Sequence, residues 1–165
     1  MSDLNLKQKI RSGEILIGVS VPLDASESEM EAIIGKDDYA FVFADSQHGA
    51  FNEDTLVKFC ESASNLGIPS QFRIKHTRHA YLIGNILDLG PVGIEVPQVE
   101  TLETVKEAVH YFYYPQMGGR SVGGAARYKG GERPGRTEYG SWWNQTGFLS
   151  IQMESLRAVT TVSQL

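Results

Sequence analysis

Hydrophobic and polar positions follow two different rhythms along this chain. Short runs of consecutive apolar, often β-branched residues predict buried strands. Between them, apolar positions recur at helical spacing behind capping residues, which predicts helices. The predicted strands are Ile15–Val21, Tyr39–Ala44, Pro69–Ile74, Val92–Val99 and Phe148–Met153. Strand and helix therefore alternate.

The most clearly predicted helix follows the second strand. Asn52 can cap it, Glu53 and Asp54 suit the positive end of its dipole, and Gly67 follows its last turn. Other helices are predicted after the possible caps Asp24 and Ser26, from about His79 to Leu87, from Thr101, and from Glu154 onward. The glycine-rich stretch Tyr114–Gly147 is too long for a plain connection and predicts a functional loop.

Alternating strands and helices predict an α/β fold with a parallel sheet, either open and doubly wound or closed as a barrel. No glycine-rich turn follows the first strand, so the dinucleotide-binding fingerprint is missing. Polar residues follow several strands, as at the active-site rim of a TIM (β/α)8 barrel. A complete barrel needs eight strands and at least about 200 residues. We therefore interpret residues 1–165 as a single incomplete barrel domain with about the first five β/α units.

Composition and charge exclude or disfavour several classes of protein. The 165 residues carry 15 basic and 20 acidic side chains, and 41% are hydrophobic, which excludes a disordered chain. No apolar run approaches the roughly 18 residues of a membrane helix, and Met1–Arg11 lacks a signal-peptide core, so we expect a cytoplasmic protein. The single cysteine, Cys60, cannot form an internal disulfide and is expected in the core. Scattered basic residues disfavour nucleic acid as a partner and favour small molecules.

Six segments carry a resemblance to a known family. They are Phe43–Gly49, Phe72–Ile74, Ile86–Gly90, Val96–Thr101, Tyr114–Arg120 and Ile151–Ser155. In this order they resemble the motifs of the HpcH/HpaI family, class II pyruvate aldolases that act on 4-hydroxy-2-oxo acids and 2-keto-3-deoxy sugar acids. The resemblance runs from about Ile15 to Ala158. It implies a TIM barrel that reversibly cleaves such acids to pyruvate and an aldehyde.

The resemblance also implies a divalent metal, Mg²⁺, Mn²⁺ or Co²⁺, that holds pyruvate and stabilises its enolate. Glu154 matches one carboxylate ligand of that metal. A second ligand, the Asp of a later Gly-Pro-x-Asp motif, has no counterpart in this sequence. Hard oxygen ligands suit such cations, and a Lewis-acid mechanism needs no Schiff-base lysine.

Further roles follow from the same resemblance. His48 matches a base that moves the proton of the substrate's 4-hydroxyl group, and Asp45 matches the carboxylate that orients it. Arg73 matches an arginine that binds substrate and stabilises enolate charge. Gln152 matches a residue lining the metal and substrate site. Asp88 matches an acidic residue that reaches a neighbouring subunit's site in hexamers of the family, so a homo-oligomer is expected of a complete barrel.

Plainer interpretations stand beside these roles. Asp45 and His48 could form a strand-end turn, Arg73 could pair with a neighbouring acid, and Glu154 could be a carboxylate at a helix N-terminus. Glu95 departs from the family by placing a charge inside a strand, where it must face the polar end of the barrel, a helix or water.

Three other functions remain open. A non-catalytic truncated aldolase would keep the motifs but could not close its barrel. A citramalyl- or malyl-thioester lyase would share the metal-enolate chemistry. Phosphate could bind the loop Gly118–Gly131 through Arg120, Arg127 and Lys129.

Overall fold

The computed structural model describes residues 5–122, 128–133 and 135–165. Five parallel strands form one sheet in the order in which they occur along the chain. They are β1 Gly18–Ser20, β2 Phe41–Asp45, β3 Ser70–Arg73, β4 Gly93–Val96 and β5 Phe148–Ile151. This sequential order is that of a barrel wall, since a doubly wound sheet reverses direction at a switch point.

Helices precede the first strand, connect the strands and follow the last strand. The α-helices are α1 Leu6–Arg11, α2 Glu27–Ile34, α3 Glu53–Asn65, α4 Ile83–Leu87, α5 Leu102–Phe112, α6 Arg136–Thr146 and α7 Leu156–Thr160. Short 3₁₀ helices span Thr77–Leu82, Gly130–Glu132 and Val162–Gln164. In the part of the chain that the structure describes, no helix is both long and apolar enough to span a bilayer.

Local capping explains where several helices begin. Ser26 and Glu29 form a reciprocal capping box at α2, and the Asn52 side chain accepts a hydrogen bond from the Thr55 backbone N–H at α3. Past α3, Gly67 adopts a φ of +73°, a left-handed conformation that suits glycine. These caps confirm the predicted starts of both helices.

Alternation along each strand separates two faces of the sheet. Val42, Ala44, Phe72 and Ile94 are at most 1% exposed and pack with buried residues of the helices. By register, the intervening positions share the opposite face, which we call the inner face. Its members are Phe43, Asp45, Gln71, Arg73, Gly93, Glu95, Phe148 and Ser150. The other face packs against helices, whereas the inner face has charged residues, Asp45, Arg73 and Glu95, at the carboxyl ends of the strands.

Several predicted boundaries were too generous. The strand predicted at Ile15–Val21 is only Gly18–Ser20, and Ile15 is 91% exposed because it precedes the sheet. The helix predicted from Glu154 begins at Leu156, where the Ser155 side chain caps it. The predicted helix at about His79–Leu87 is split between a 3₁₀ helix and α4. Apolar character alone does not say where strand pairing stops.

The prediction of an irregular loop over Tyr114–Gly147 was wrong at its C-terminal end, which contains α6. Trp143 is fully buried, and its indole N–H donates to the Phe112 carbonyl at 3.0 Å. The Asn144 side chain exchanges hydrogen bonds with the backbone of Tyr114. These contacts hold α6 against the end of α5, so the aromatic residues of this region serve packing.

Candidate active site

The candidate site is built where β2, β3, β4 and β5 end on the inner face. Asp45 and Arg73 are register partners on β2 and β3, and Arg73 and Glu95 are partners on β3 and β4. Gln152 follows β5 directly, and its backbone N–H donates to the Val96 carbonyl at 2.9 Å. The parallel sheet therefore brings side chains separated by more than a hundred residues to one edge.

Arg73 is the centre of this arrangement. Its Nε donates to Asp45 Oδ1 at 2.8 Å, and its Nη2 donates to Asp45 Oδ2, so one carboxylate takes the guanidinium fork. Its Nη1 donates to Gln152 Oε1 at 3.2 Å and lies 3.9 Å from Glu95 Oε1. The ring of Phe43 lies beneath the guanidinium at 5.7 Å. Contacts from β2, from β4 and from the residue after β5 thus fix the position of the Arg73 guanidinium.

Asp45 is bound by Arg73 and by the backbone. Its Oδ1 also accepts the Gln47 backbone N–H at 2.8 Å. The hydrogen bonds from Arg73 hold the pKa of the Asp45 carboxyl below its usual value, and the same contact raises the pKa of Arg73. Arg73 therefore does pair with a neighbouring acid, in agreement with the plainer interpretation.

His48 is exposed and lies three residues beyond Asp45. Between the described residues, no hydrogen bond joins the His48 ring to the Asp45 carboxylate, whose oxygens are occupied by Arg73 and Gln47. The interaction of His48 with Asp45 is electrostatic and is the weakest cause of the lowered pKa of Asp45. The imidazole is therefore exposed to solvent beyond the end of β2.

Glu154 lies beyond β5, on the same side of the sheet. Its Oε1 accepts the Gln98 backbone N–H at 3.2 Å. Gln98 presents that N–H from a left-handed conformation with a φ of +50°, which is uncommon for a residue other than glycine. Sequence reasoning missed Gln98 as a residue that holds Glu154. The Pro97–Gln98 turn at the end of β4 was the available signal.

Below this edge, a second layer of polar contacts crosses the inner face. Gln71 Nε2 donates to Ser150 Oγ at 2.7 Å, although β4 lies between their strands. The strand between them has Gly93 at this level, and a Cβ there would lie 3.2 Å from Gln71 Cγ. A larger residue at this position would therefore crowd the Gln71 side chain by a few tenths of an ångström.

Asp88 does not join the residues around Arg73. Its Oδ1 accepts from Arg120 Nη2 at 2.8 Å, and the Arg120 side chain is completely buried. The guanidinium of Arg120 lies over the rings of Tyr114 and Trp143 at 4.8 and 4.7 Å. Arg120 is therefore a structural cation rather than a phosphate ligand. Of the other two residues predicted to bind phosphate, Lys129 has its Nζ 4.0 Å from Glu132 Oε2, and Arg127 is outside the described residues. The role of Asp88 in a neighbouring subunit stays a prediction.

A cleft of about 620 Å³ opens beside the site. It is lined by the end of β1, by Asp45 and by the loop that leads to α3, including Gly49 and Asn52. The thiol of Cys60 lies away from it, buried as predicted, and burial raises the pKa of Cys60 to about 12. The open volume next to Asp45 is large enough for a small organic acid.

The donor set fits a weakly held hard cation at one position. Hydrogen bonding engages one Glu154 oxygen and leaves the other open to solvent. Magnesium commonly binds through one or two carboxylates and keeps waters or substrate oxygens as its other ligands. Within residues 5–122, 128–133 and 135–165, no group of three or more His, Cys, Asp or Glu side chains could hold a metal by itself.

The known proteins that are similar to this chain in sequence include aldolases. The chain matches no family model. A 2-keto-3-deoxy-L-rhamnonate aldolase of Escherichia coli is 27% identical over 161 residues, which are 96% of this chain and 58% of that protein. The corresponding aldolase of Salmonella gallinarum is 26% identical over 160 residues, with the same coverage. The chain therefore spans about 58% of the length of these curated relatives.

Solved structures share the fold. An HpcH/HpaI aldolase from Desulfitobacterium hafniense superposes with a TM-score of 0.80 at 24% identity, over 96% of this chain and 60% of that one. The citrate synthase SbnG superposes with a TM-score of 0.81 at 25% identity, over 98% of this chain and 60% of that one. These matches confirm the predicted barrel-type fold and the resemblance to aldolases.

Proposed function

For a chain that is related in sequence to aldolases and shares its fold with the HpcH/HpaI aldolases, we propose a carbon–carbon lyase activity on 4-hydroxy-2-oxo acids. The reaction is reversible cleavage to pyruvate and an aldehyde. The observation that carries this proposal is the fixed guanidinium of Arg73 at the inner-face edge, with Gln152 and Glu154 beyond the end of β5. A cation held between strands is suited to an oxyanion that develops during carbon–carbon bond cleavage.

Arg73 is oriented before any substrate arrives. Asp45 takes two of its N–H groups and Gln152 a third, so other donor hydrogens of the fork remain for a substrate oxygen. Preorganised donors stabilise developing charge without reorganisation during the reaction. Asp45 therefore acts as the residue that positions Arg73.

His48 moves the proton of the 4-hydroxyl group. An exposed imidazole near a carboxylate can accept that proton when the bond between C3 and C4 breaks, and can return it in the condensation direction. Glu154 and the substrate oxygens would hold the divalent cation, Mg²⁺, Mn²⁺ or Co²⁺. When bound, this cation supplies Lewis-acid stabilisation of the pyruvate enolate.

The test is release of pyruvate from 4,5-dihydroxy-2-oxopentanoate, with glycolaldehyde as the other product, by the full chain supplied with Mn²⁺. We expect cleavage by the wild type and a loss of about 10²- to 10⁴-fold in His48→Asn, the usual contribution of a general base. His79→Asn is the matched control and is expected to behave like the wild type. Absence of cleavage by a wild-type chain that melts cooperatively would contradict the proposal and favour a non-catalytic aldolase relative.

The thioester-lyase alternative is tested in the same assay. Malyl and citramalyl thioesters would replace the 4-hydroxy-2-oxo acid as substrate, with Mn²⁺ unchanged. We expect no cleavage of these thioesters. Cleavage of a thioester in preference to 4,5-dihydroxy-2-oxopentanoate would overturn the assignment of the substrate class while keeping the enolate chemistry.

A further inference from the structure

Glu95 is a charged residue of the inner face that has no role in the proposed reaction. It lies on the inner face of β4, with Arg73 as its register partner on β3 and Ser150 as its partner on β5. Its side chain is 23% exposed, and its carboxylate is 3.9 Å from Arg73 Nη1. Glu95 therefore faces the same space as the groups proposed to bind substrate.

The carboxylate of Glu95 has unused hydrogen-bonding capacity. Nothing in the described ranges donates a hydrogen bond to it, and the separation of 3.9 Å from Arg73 exceeds a hydrogen bond. Asp45, by contrast, receives the whole fork of Arg73 together with a backbone N–H. Two acceptor oxygens at a half-buried position are thus left to face whatever occupies the inner face.

The charges around Glu95 determine what it can receive. Arg73 faces it from β3, and its charge is already matched by Asp45 on β2. Glu154, beyond β5, adds a further negative charge close enough to act on Glu95. Three carboxylates therefore surround one guanidinium. The carboxylate of the pyruvate portion would be held by the divalent cation, so such a surface repels a second carboxylate on the substrate and attracts hydroxyl donors.

We propose that Glu95 is a specificity-determining residue that accepts hydrogen bonds from hydroxyl groups of the aldehyde portion of the substrate and disfavours aldehydes that carry a carboxylate. This inference rests on the proposed aldolase function. It assigns the chain to neutral, hydroxylated aldehydes rather than to semialdehydes of dicarboxylic acids. A site that hydrogen-bonds a hydroxyl group discriminates strongly, because an analogue without it leaves buried polar groups unpaired.

The test compares two aldehydes in condensation with pyruvate, glycolaldehyde and succinic semialdehyde. The measured quantity is the ratio of their kcat/KM values for the wild type, Glu95→Gln and Glu95→Leu. We expect the wild type to favour glycolaldehyde and either substitution to lower the ratio by about tenfold, the effect of removing one like-charge repulsion. Glu103→Gln changes the same charge at an exposed position of α5 and is expected to leave the ratio unchanged.

Deuterium exchange into the methyl group of pyruvate separates this inference from the proposed function, because it involves no aldehyde. Exchange that persists in Glu95→Gln with an unchanged aldehyde ratio would overturn the role of Glu95 alone. Absence of exchange in the wild type would overturn the proposed function.

A binding measurement then decides the selectivity independently of turnover. The Ile74 N–H donates to the Glu95 carbonyl at 3.1 Å, so its NMR shift reports on ligands at this position. Selectivity predicts shifts with erythritol but not with succinate in the wild type, and shifts with succinate in Glu95→Gln. Equal responses of the wild type to both ligands would overturn the inference.

Discussion

The carboxylate of Asp45 and the guanidinium of Arg73 form a two-point hydrogen-bonded pair between neighbouring strands of the sheet. Asp45 and Arg73 also lie opposite each other in the backbone register of β2 and β3, so their side chains join the same two positions that the strand pairing aligns. The pair therefore links the stability of the sheet edge to the position of the Arg73 guanidinium, which is proposed to act in catalysis.

Replacement of Asp45 by Asn should destabilise the fold. A part-buried Arg73 would lose its charged partner, at a cost of about 1–3 kcal/mol in the free energy of unfolding. Urea titration at neutral pH measures this, with Asp38→Asn as the exposed control. A loss no larger than that of the control would mean that the pair contributes nothing to stability.

The same pair predicts a dependence on acid. Because Arg73 lowers the pKa of Asp45 in the folded state, the stabilisation is fully present above the ordinary aspartate pKa and is lost as pH falls toward the lowered value. Urea titrations from pH 5 to pH 2 should therefore show a steeper loss of stability for the wild type than for Asp45→Asn. Parallel curves would contradict this assignment.

Glu95 should have the opposite effect on stability. Burial raises the pKa of Glu95, outweighing the nearby Arg73, so its charged form is disfavoured by folding. A raised folded pKa means that its contribution is present below the ordinary glutamate pKa and is lost as pH rises through the folded value. Glu95→Gln should therefore be at least as stable as the wild type at pH 7 and gain no advantage at pH 4. A large loss of stability at pH 7 would contradict it.

Arg73→Lys should preserve charge and lose function. Lysine cannot reproduce the planar fork that binds Asp45 and Gln152 together, so the cation would no longer be fixed. We expect pyruvate enolisation to fall by about 10²-fold or more, as for loss of a preorganised donor. Lys75→Arg is a nearby control. Enolisation within a few-fold of the wild type would mean that charge alone suffices.

Arg120 and Asp88 should be coupled asymmetrically. Asp88→Asn would leave a fully buried guanidinium without its carboxylate, and we expect a loss of about 3–5 kcal/mol. In Arg120→Met, the remaining Asp88 is partly exposed and can be solvated. The double variant should therefore be more stable than the sum of the single effects predicts. Urea titration of all four chains tests this, and simple additivity would show that the contact carries no coupling.

Sequence periodicity was sufficient for the sheet and for the capped helices. Asn52 with the acidic first turn located α3 because capping is a local property of the sequence. Helix α6 was missed because glycine, threonine and asparagine weaken its helical propensity. Tyr139, Trp142 and Trp143 nevertheless fall at i, i+3 and i+4 and provided a helical signal.

The site was only partly accessible from sequence. Residues at strand ends could be expected to converge, and Asp45, Arg73 and Gln152 do. Which partner Asp45 binds depends on the register of two strands, and sequence motifs do not specify that register. For the same reason the sequence left three surroundings open for Glu95, and the pairing of β3 with β4 places it beside Arg73.

The most direct measurement of the central claim is proton NMR of deuterium exchange into the methyl group of pyruvate, with the full chain and Mn²⁺. The account predicts exchange that depends on Mn²⁺ and is abolished in Glu154→Gln, while Glu103→Gln exchanges like the wild type. No exchange from a cooperatively melting wild-type chain, or equal exchange in Glu154→Gln, would contradict the claim that these strand ends form an enolising site.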